Sequence, residues 1–391
     1  MKYPYANPNL RIADLIKTLF SSASASEERI KKYFSDLTGK KYILVTNSCR
    51  TALYMAYQSL GIKGEVITSP LTCKVALDPI IESGNTLVFA DINTGDLNIV
   101  PGDIEHRITD KTIAIQAIHL GGVACKMDRI LSLAKQRNLI VIEDCAQSLG
   151  AYYNGKPSGS FGDVSCFSLI KNAYGIGGGI LATNSFEIYQ KALKINEELL
   201  ATGLMLLLFR TIRNLAETNR NNILFRALHK SIMLVKGKKK SYGSVIQQLH
   251  QITCYEKKLA AHQLSRMTGL HNLRKNIGKK YYELLTGNNI LVNYDYEVNG
   301  SSFTKFFVYN PSLDSQKALT CLNAKGIEVM HLEQRYGNPL QPRFVDKETA
   351  LLQGLKNYDT VHDCLISLPL PEGIKEKHIF IIVSALKEIT N

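Results

Sequence analysis

The sequence predicts an α/β fold in which a mostly parallel central sheet is flanked by helices and followed by a smaller α+β domain. From about residue 40, short apolar runs alternate with stretches of helical spacing. This alternation is typical of parallel strands that helices bury on both faces. A shorter set of strands and helices follows near the C-terminus. We therefore predict a large domain over residues 1–250 and a small domain over residues 251–391, which begins with a linking helix.

The predicted strands are runs rich in β-branched residues, whereas the predicted helices carry apolar residues three and four positions apart. The strands of the large domain are Tyr42–Thr46, Glu65–Thr68, Thr86–Phe89, Thr112–Ile118, Leu139–Ile142, Val164–Ser168 and Gly179–Thr183. The helices between them are Cys49–Leu60, Val75–Glu82 and Met127–Gln136. The predicted helices of the small domain are Ile252–Leu285, Ser315–Lys325 and Lys375–Ile389, and its predicted strands are Phe303–Tyr309 and Ile327–His331. Because such sheets bind ligands at the carboxyl ends of their strands, the residues that follow these strands are the candidates for a functional site.

The composition of the 391 residues excludes a disordered chain and a disulfide scaffold. Hydrophobic residues make up 45% and charged residues 21%, with only 11 prolines, which suits a folded protein with a large core. The eight cysteines form no CxxC pair and no cluster with histidine at metal-ligand spacing, so we expect free thiols in the cytoplasm and no bound metal. The N-terminus lacks the basic start and apolar core of a secretory signal, and none is expected.

The formal net charge of +13 comes mainly from one segment that interrupts the α/β pattern, residues 199–250. Residues 201–244 contain nine basic residues against one acidic residue, Glu217, and the apolar run 199–209 is too short to span a bilayer. Two hypotheses stay open: a helical excursion that covers a dimer contact or the site entrance, and a peripheral patch that places Lys238–Lys240 on anionic lipid at the inner face of the membrane. Nucleic-acid binding is disfavoured because the segment is rich in apolar residues and has no DNA-reading pattern.

Four kinds of polar group are predicted at one edge of the sheet. Asp144 ends the apolar strand LIVIED, Gln147 follows it, and Ser168 and Lys171 precede the glycine-rich turn Gly175–Gly179. A phosphorylated pyridine aldehyde needs this set: a carboxylate to keep the ring nitrogen protonated, a lysine to form a Schiff base, and a hydroxyl with helix-start amides to hold the phosphate. For Asp144 alone, the alternative is a helix cap. The combination favours a pyridoxal 5′-phosphate site.

The sequence IEDCAQSLGAYYNGKPSGSFGDVSCFS, with HLGG at 119–122 and CLISLPLPEGI at 364–374, resembles the DegT/DnrJ/EryC1/StrS family of sugar aminotransferases. The resemblance covers nearly the whole chain except about 199–250, and it implies the type I PLP-dependent transferase fold of aspartate aminotransferase. It places Asp144 on the pyridine nitrogen, Gln147 against the 3′-hydroxyl face and Ser168 on the phosphate, and it makes Lys171 the Schiff-base lysine. It also implies a homodimer whose sites lie at a two-fold interface.

The sequence departs from the family pattern around the cofactor. Lys171 stands three residues after the serine rather than five, and Ile176 replaces the acidic residue of the glycine turn. The small-residue turn Ser-Gly-Thr becomes Ser48–Arg50 with Thr51 beside it, and Cys73 replaces the aromatic residue that stacks on the ring. The Asn-Tyr-Arg element that a partner subunit contributes has no counterpart before residue 255. Both Thr51 and Cys73 are still expected to contact the cofactor.

Four further residues at or near the strand ends have competing interpretations. Arg50, at a predicted helix start, either binds the phosphate or is a solvated surface residue. His119 is expected to be packed and hydrogen-bonded rather than a proton carrier, and Lys74 is expected to be solvated. His331 could face the substrate, although the family motif is not reproduced around it.

The predicted function is transfer of an amino group from an amino acid, with glutamate as the expected donor, to a nucleotide-linked keto sugar in surface-polysaccharide or related amino-sugar biosynthesis. Lys171 and Asp144 are the expected catalytic residues. The alternatives are another PLP-dependent sugar reaction, such as dehydration, and a cofactor-binding protein without turnover, which the altered lysine loop suggests.

Overall fold

The computed structural model describes residues 3–4, 10, 12–171, 175–218, 249–286, 291–292, 300–311, 313–331, 350–351 and 354–390. The described residues form one sheet of eight strands, one of four and a small two-stranded sheet, with helices packed against the two larger ones. The lysines at 238–240, on which the membrane hypothesis partly depends, lie outside the described residues.

The eight-stranded sheet is mostly parallel, as predicted. Its strands are β1 (Tyr42–Thr46), β2 (Glu65–Thr68), β3 (Thr86–Phe89), β4 (Thr112–Ile118), β5 (Ile140–Cys145), β8 (Val164–Ser168), β9 (Gly179–Thr183) and β13 (Ala350–Leu351), and a hairpin of β6 (Tyr152–Tyr153) and β7 (Lys156–Pro157) lies outside it. The strand order is β1-β9-β8-β5-β4-β2-β3-β13. Only β9 runs against its neighbours, since it pairs antiparallel with both β1 and β8. The carboxyl ends of the other strands therefore meet at one edge, where β9 begins.

Helices cover both faces of this sheet, and several carry local start signals. They are α1 (Ile12–Leu19), α2 (Ala23–Thr38), α3 (Cys49–Ser59), α4 (Lys74–Glu82), α5 (Pro101–Arg107), α6 (Met127–Arg137), α7 (Phe186–Glu197) and α8 (Leu204–Thr218), followed by α9 (Cys254–Leu264) and α10 (Met267–Leu285). Ser22, Ser48 and Ser185 are N-caps whose side chains accept a backbone hydrogen bond at the start of α2, α3 and α7. At the end of α2, Gly39 takes a left-handed conformation that terminates the helix.

The C-terminal part of the chain builds the four-stranded antiparallel sheet, in the order β10-β11-β14-β12. Its elements are β10 (Leu291–Val292), β11 (Phe306–Tyr309), α11 (Ser315–Ala324), β12 (Met330–His331), α12 (Lys356–Val361), β14 (Leu365–Leu368) and α13 (Glu376–Thr390). The strand β13, from this C-terminal part, belongs to the eight-stranded sheet, where it pairs with β3 at the edge of that sheet. The domain boundary at residues 250 and 251 stays a prediction.

The single long helix predicted over Ile252–Leu285 is wrong, because the structure has two helices, α9 and α10, with a break at Ser265 and Arg266. The Ser265 hydroxyl donates to the carbonyl of His262, three residues earlier, and such a side-chain bond competes with helix continuation. Arg266 is drawn towards α1, where its guanidinium lies 3.3 Å from the carboxylate of Asp14.

The basic segment leaves and rejoins the body of the protein at one place. An isolated parallel bridge joins Ala201 to Gln251, and the Gln251 amide N–H donates to the carbonyl of Leu200 at 2.8 Å. Between these two residues, the structure describes residues 202–203, the helix α8, and residues 249–250 just before Gln251. Nowhere in the described part of the chain is a helix both long and apolar enough to cross a membrane.

Candidate active site

The strand ends meet around a cavity of about 600 Å³. Residues that follow β1, β2, β4, β5 and β8 line it, as expected for the carboxyl edge of a parallel sheet. The lining includes all seven residues that the sequence assigned to catalysis or cofactor binding: Arg50, Thr51, Cys73, Asp144, Gln147, Ser168 and Lys171. The structure thus brings the candidate residues together, whereas their individual roles stay predictions.

The Asp144 carboxylate lies at the end of β5 and is 4% exposed. Its Oδ1 accepts a hydrogen bond from the Ala146 amide at 2.9 Å and faces the Cys49 thiol at 3.8 Å. Burial raises the pKa of Asp144, while the nearby charge of Lys171 and the Ala146 hydrogen bond oppose that rise. A buried carboxylate of this kind is stabilised by a cation in the cavity, and a protonated ring nitrogen would be one.

The first turn of α3 lines the cavity. The Ser48 hydroxyl accepts from the Thr51 amide at 3.1 Å, and the Thr51 hydroxyl donates to the side chain of Asn47. The start of β9 approaches this turn so closely that a Cβ on Gly179 would lie 2.2 Å from the Ser48 carbonyl carbon. Arg50 is half-buried and lines the cavity, which favours the phosphate interpretation over a solvated surface residue.

Ser168 ends β8 and Lys171 lies in the loop that follows, and both line the cavity wall. The loop is fixed to the glycine turn, since the Leu169 amide donates to the Gly178 carbonyl at 3.0 Å and the Gly175 amide donates to the Leu169 carbonyl at 2.8 Å. The glycine turn is itself fixed to the end of β1, because the Gly178 amide donates a 2.7 Å hydrogen bond to the Asn47 carbonyl. Lys171 reaches the cavity from this short loop, and its charge acts on Asp144.

Gln147 is oriented by the first glycine of HLGG, Gly121. Its side-chain carbonyl accepts from the Gly121 amide at 3.2 Å, and the Ser302 hydroxyl donates to its backbone carbonyl at 3.4 Å. Gly122 has a φ of 96°, and a Cβ there would lie 2.3 Å from the Ser302 hydroxyl. The backbone and side chain around Ser302 therefore pack directly against the loops of Gly122 and Gln147.

His119 is the packed, hydrogen-bonded histidine that the sequence suggested. Its Nδ1 accepts from the Cys125 amide at 3.0 Å, so its proton is on Nε2, which donates to Glu143 at 3.1 Å. Burial alone would raise the pKa of Glu143, but the His119 bond and backbone amides, including those of Gly162 and Gly159, outweigh it and lower that pKa. This pair anchors the floor of the cavity beside Asp144.

The residues that depart from the family pattern fill space at the cavity wall. Cys73 is the N-cap residue of α4 and packs with Ala76 and Ile118, while Ile176 is buried in a second small apolar cluster.

The expectation that Lys74 is solvated is wrong: its ammonium is paired with the buried carboxylate of Asp78 on the same helix. A buried carboxylate one helical turn away draws the lysine in.

Four cavity residues from the basic segment were not identified from the sequence: Phe209, Arg210, Arg213 and His250. Arg210 and Arg213 are three positions apart on α8, so they lie on one helix face. That spacing was readable from the sequence, but the direction of the face depends on how α8 packs, which no local pattern shows. His331, in contrast, is not among the lining residues; it donates from Nε2 to the His362 carbonyl at 3.0 Å in the C-terminal part of the chain.

Residues 9–387 match the profile of a family described as the DegT/DnrJ/EryC1/StrS aminotransferase family. Among curated proteins, the chain is similar to a spore coat polysaccharide biosynthesis protein, SpsC, of Bacillus subtilis (strain 168), with 37% identity over 198 residues that cover 48% of this chain and 51% of the relative. It is also similar to GDP-perosamine synthase of Escherichia coli O157:H7, with 37% identity over 191 residues, 48% of this chain and 52% of the relative. The chain thus spans about half the length of the curated relatives it matches.

Among solved structures, the fold is similar to that of E. coli GDP-4-keto-6-deoxy-D-mannose-3-dehydratase with bound hydrated PLP. The TM-score is 0.76 at 19% sequence identity, and the match covers 98% of this chain and 99% of that chain. At this level of identity the likeness shows a shared fold over nearly the whole chain.

Proposed function

From the premise that this chain belongs to the DegT/DnrJ/EryC1/StrS aminotransferase family, we propose that it is a PLP-dependent aminotransferase that acts on a nucleotide-linked keto sugar. The observation that carries the proposal is the meeting of Asp144, Ser168 and Lys171 in one cavity at the carboxyl edge of the sheet. The name of one relative, GDP-perosamine synthase, points to an amino sugar carried on a nucleotide, and that of SpsC points to polysaccharide assembly.

The residues present fit pyridoxal 5′-phosphate, the cofactor of this family. The buried Asp144 carboxylate, whose pKa is raised by burial, is suited to a positively charged ring nitrogen. The N-terminus of α3, with Ser168 and Arg50 nearby, is suited to a phosphate. Lys171 supplies the primary amine that an aldehyde requires. When bound, the cofactor supplies an aldehyde that bonds to amino groups and a ring that accepts an electron pair.

Each of these residues has a defined task in this proposal. Asp144 holds the proton on the ring nitrogen, because its own charge is stabilised by that proton. The Lys171 amine would be the group that bonds to the aldehyde, and its Nζ would take up and deliver a proton. Gln147, held by Gly121, orients the ring face, while Cys73 contacts the ring and Thr51 the phosphate. Glutamate is the proposed amino donor.

We expect the protein, supplied with pyridoxal 5′-phosphate and glutamate, to add one amino group to a nucleotide-linked keto sugar. Mass spectrometry of a panel of keto-sugar nucleotides should show the mass change of carbonyl replacement by an amino group, with 2-oxoglutarate formed in equal amount. The control omits glutamate. Loss of water from the sugar in place of amination would favour dehydration, and cofactor binding without any product would favour a catalytically silent protein.

We propose that the chain forms a homodimer. Two neighbouring helices, α1 and α8, contribute to one small buried cluster yet expose large apolar side chains on their outer faces. The most exposed of these are Leu19 at 66% and Met205 at 79%, and Leu208 is 47% exposed. Large apolar side chains left exposed on two helices that share one cluster are typical of protein or membrane contacts. The homodimer that the family resemblance implies would cover it.

Light scattering is expected to give twice the mass of a single chain. Leu208→Glu should shift the protein towards monomer, since it places a charge in the proposed contact, whereas Ile62→Glu, at a side chain of similar exposure (50%) in the loop after α3, should not. A monomeric wild-type protein at working concentration would contradict the homodimer.

Peripheral membrane contact is the competing use of the same surface, with the basic residues of 201–244 on anionic lipid. It would be supported if a monomeric protein co-sedimented with anionic vesicles at low salt and was released at high salt. Absence of binding at low salt would contradict it. The cytoplasmic location stays a prediction, which the eight free thiols support.

A further inference from the structure

The helix α8 forms one wall of the candidate active site. Its side chains Phe209, Arg210 and Arg213 line the cavity, and His250 lines it from the point where the basic segment rejoins the body. Residues from this segment were expected to cover a dimer contact, the site entrance or a membrane. The described part of the segment also places two guanidinium groups beside the site that we assign to the cofactor.

Apolar packing holds α8 in this position. Leu207 and Leu215 pack against a buried cluster that contains Ile176 of the glycine turn and Leu259 of α9. The wall is therefore attached both to the turn after Lys171 and to the helix that follows the segment. Because this packing fixes the helix, a positively charged side chain on the face of α8 that lines the cavity is held at a fixed position relative to the cavity.

A buried carboxylate orients Arg210. Its Nη1 lies 2.8 Å from Oε1 of Glu256, whose side chain is fully buried, and its Nη2 donates to Nε2 of His250 at 3.2 Å. Glu256 also closes a capping box at the start of α9, where its other oxygen accepts from the Thr253 amide at 2.9 Å. The carboxylate has little freedom beneath the turn, because a Cβ on Gly177 would lie 2.2 Å from it. Arg210 is thus preorganised rather than mobile.

The charges around the cavity exceed the needs of the cofactor. Among the described residues that line it, Arg50, Lys171, Arg210 and Arg213 are cations and Asp144 is the one carboxylate, and Glu256 adds a second at Arg210. The proposed cofactor uses Arg50 for its phosphate, Lys171 for its aldehyde and Asp144 for its ring. The two arginines of α8 have no task in that arrangement. Guanidinium groups beside a cavity bind phosphate and carboxylate oxygens in bidentate geometry.

We propose that Arg213, together with Arg210 oriented by Glu256, binds a second oxyanion in the cavity, distinct from the cofactor phosphate. The proposal rests on the proposed function, in which this oxyanion is the diphosphate of the nucleotide-linked sugar or the carboxylate of the amino-acid donor. The three-residue spacing separates the two arginines by roughly 4.5 Å along the helix axis, which suits two neighbouring anionic oxygens. The segment would then take part in ligand recognition.

The test measures anion binding to the full-length protein saturated with pyridoxal 5′-phosphate, so that the cofactor phosphate subsite is filled. Calorimetric titrations use inorganic pyrophosphate for the diphosphate arm and glutarate for the carboxylate arm. We expect Arg213→Gln to weaken the affinity for one of the two probes by about tenfold or more while cofactor affinity, followed by absorbance, is unchanged. The probe that is affected identifies the source of the oxyanion. The matched control is Arg137→Gln, at an exposed arginine of α6 that does not line the cavity.

A second variant tests Arg210 without leaving a buried charge. Arg210→Gln combined with Glu256→Gln replaces the ion pair by two amides and should also weaken binding of the same probe. If that double variant does not fold, Arg213→Gln, at a half-buried position, decides alone. Wild-type affinity of Arg213→Gln for both probes overturns the proposal, as does loss of cofactor affinity in place of probe affinity. If the wild-type protein binds no cofactor, the proposed function fails, whereas loss of probe binding in Arg213→Gln still supports an oxyanion site at α8.

Discussion

Replacing Lys171 by alanine is expected to abolish covalent attachment of pyridoxal 5′-phosphate and to lower turnover by about 10²–10⁴-fold, the range for loss of a positioned proton carrier. Lys171 lines the cavity from the short loop after β8, and its charge already acts on Asp144. The wild-type protein treated with borohydride should carry the reduced cofactor on Lys171, and mass spectrometry of peptides from Lys171→Ala should show none there.

Two variants separate the chemistry of Lys171 from its charge. Lys171→Arg keeps a cation beside Asp144 but cannot form the bond to the aldehyde, so it should also lose covalent attachment. Lys156→Ala, at an exposed lysine of the β6–β7 hairpin, should keep it. A reduced cofactor–lysine adduct that persists in Lys171→Ala would refute the assignment and make Lys74, at the start of α4, the next residue to test.

Replacing Asp144 by asparagine is expected to retain cofactor binding and to lower turnover by about 10³-fold or more, because the ring loses the charge that keeps its nitrogen protonated. The same substitution should lower turnover but raise the stability of the cofactor-free protein. The pKa of Asp144 in the cofactor-free protein is raised above its unfolded value, so its contribution to stability is present below the unfolded pKa and is lost as the pH rises through the folded pKa. The cofactor-free Asp144→Asn protein should therefore melt at a higher temperature than the wild type at pH 7, and the difference should shrink in acid.

The adjacent residue Glu143 gives a matched control with the reverse sign. Its pKa is lowered, so its carboxylate contributes stability above the unfolded pKa that is lost as the pH falls through the folded pKa. Glu143→Gln should therefore lower the melting temperature at pH 7, since its oxygens accept from His119 and from the backbone amides of Gly159, Phe161 and Gly162. Turnover of Asp144→Asn close to that of the wild type would show that Asp144 acts only as a cap.

The sequence predicted the large sheet well because its strands are short, apolar and buried, so that each strand has one clear pattern. Six predicted strands have the observed bounds, and the seventh, predicted over Leu139–Ile142, begins one residue later and extends three residues further, over Ile140–Cys145. That extension shows why the site was also predictable: in a parallel sheet, a polar residue that ends a buried strand, such as Asp144, lies at the ligand edge.

The remaining features depend on contacts between distant residues. At the break between α9 and α10, Arg266 pairs with Asp14, about 250 positions earlier. The four-residue spacing of Lys74 and Asp78 is visible in the sequence, but the burial of Asp78, which draws Lys74 in, depends on tertiary packing. The inward direction of Arg210 and Arg213 is set by the packing of α8 on Ile176 and Leu259. No spacing within a single segment encodes such contacts.

The side-by-side entry and exit of the basic segment, at the bridge between Ala201 and Gln251, makes this stretch an exchangeable module. Paired strands lie roughly 5 Å apart, so a connector of a few residues would close the same gap. Chain closure over the whole stretch costs only about 2 kcal/mol more than over a short turn, because the cost grows with the logarithm of length. An enzyme with this scaffold can therefore lose, lengthen or replace one entire wall of its pocket while β5, which carries Asp144, and β8, which precedes Lys171, keep their register.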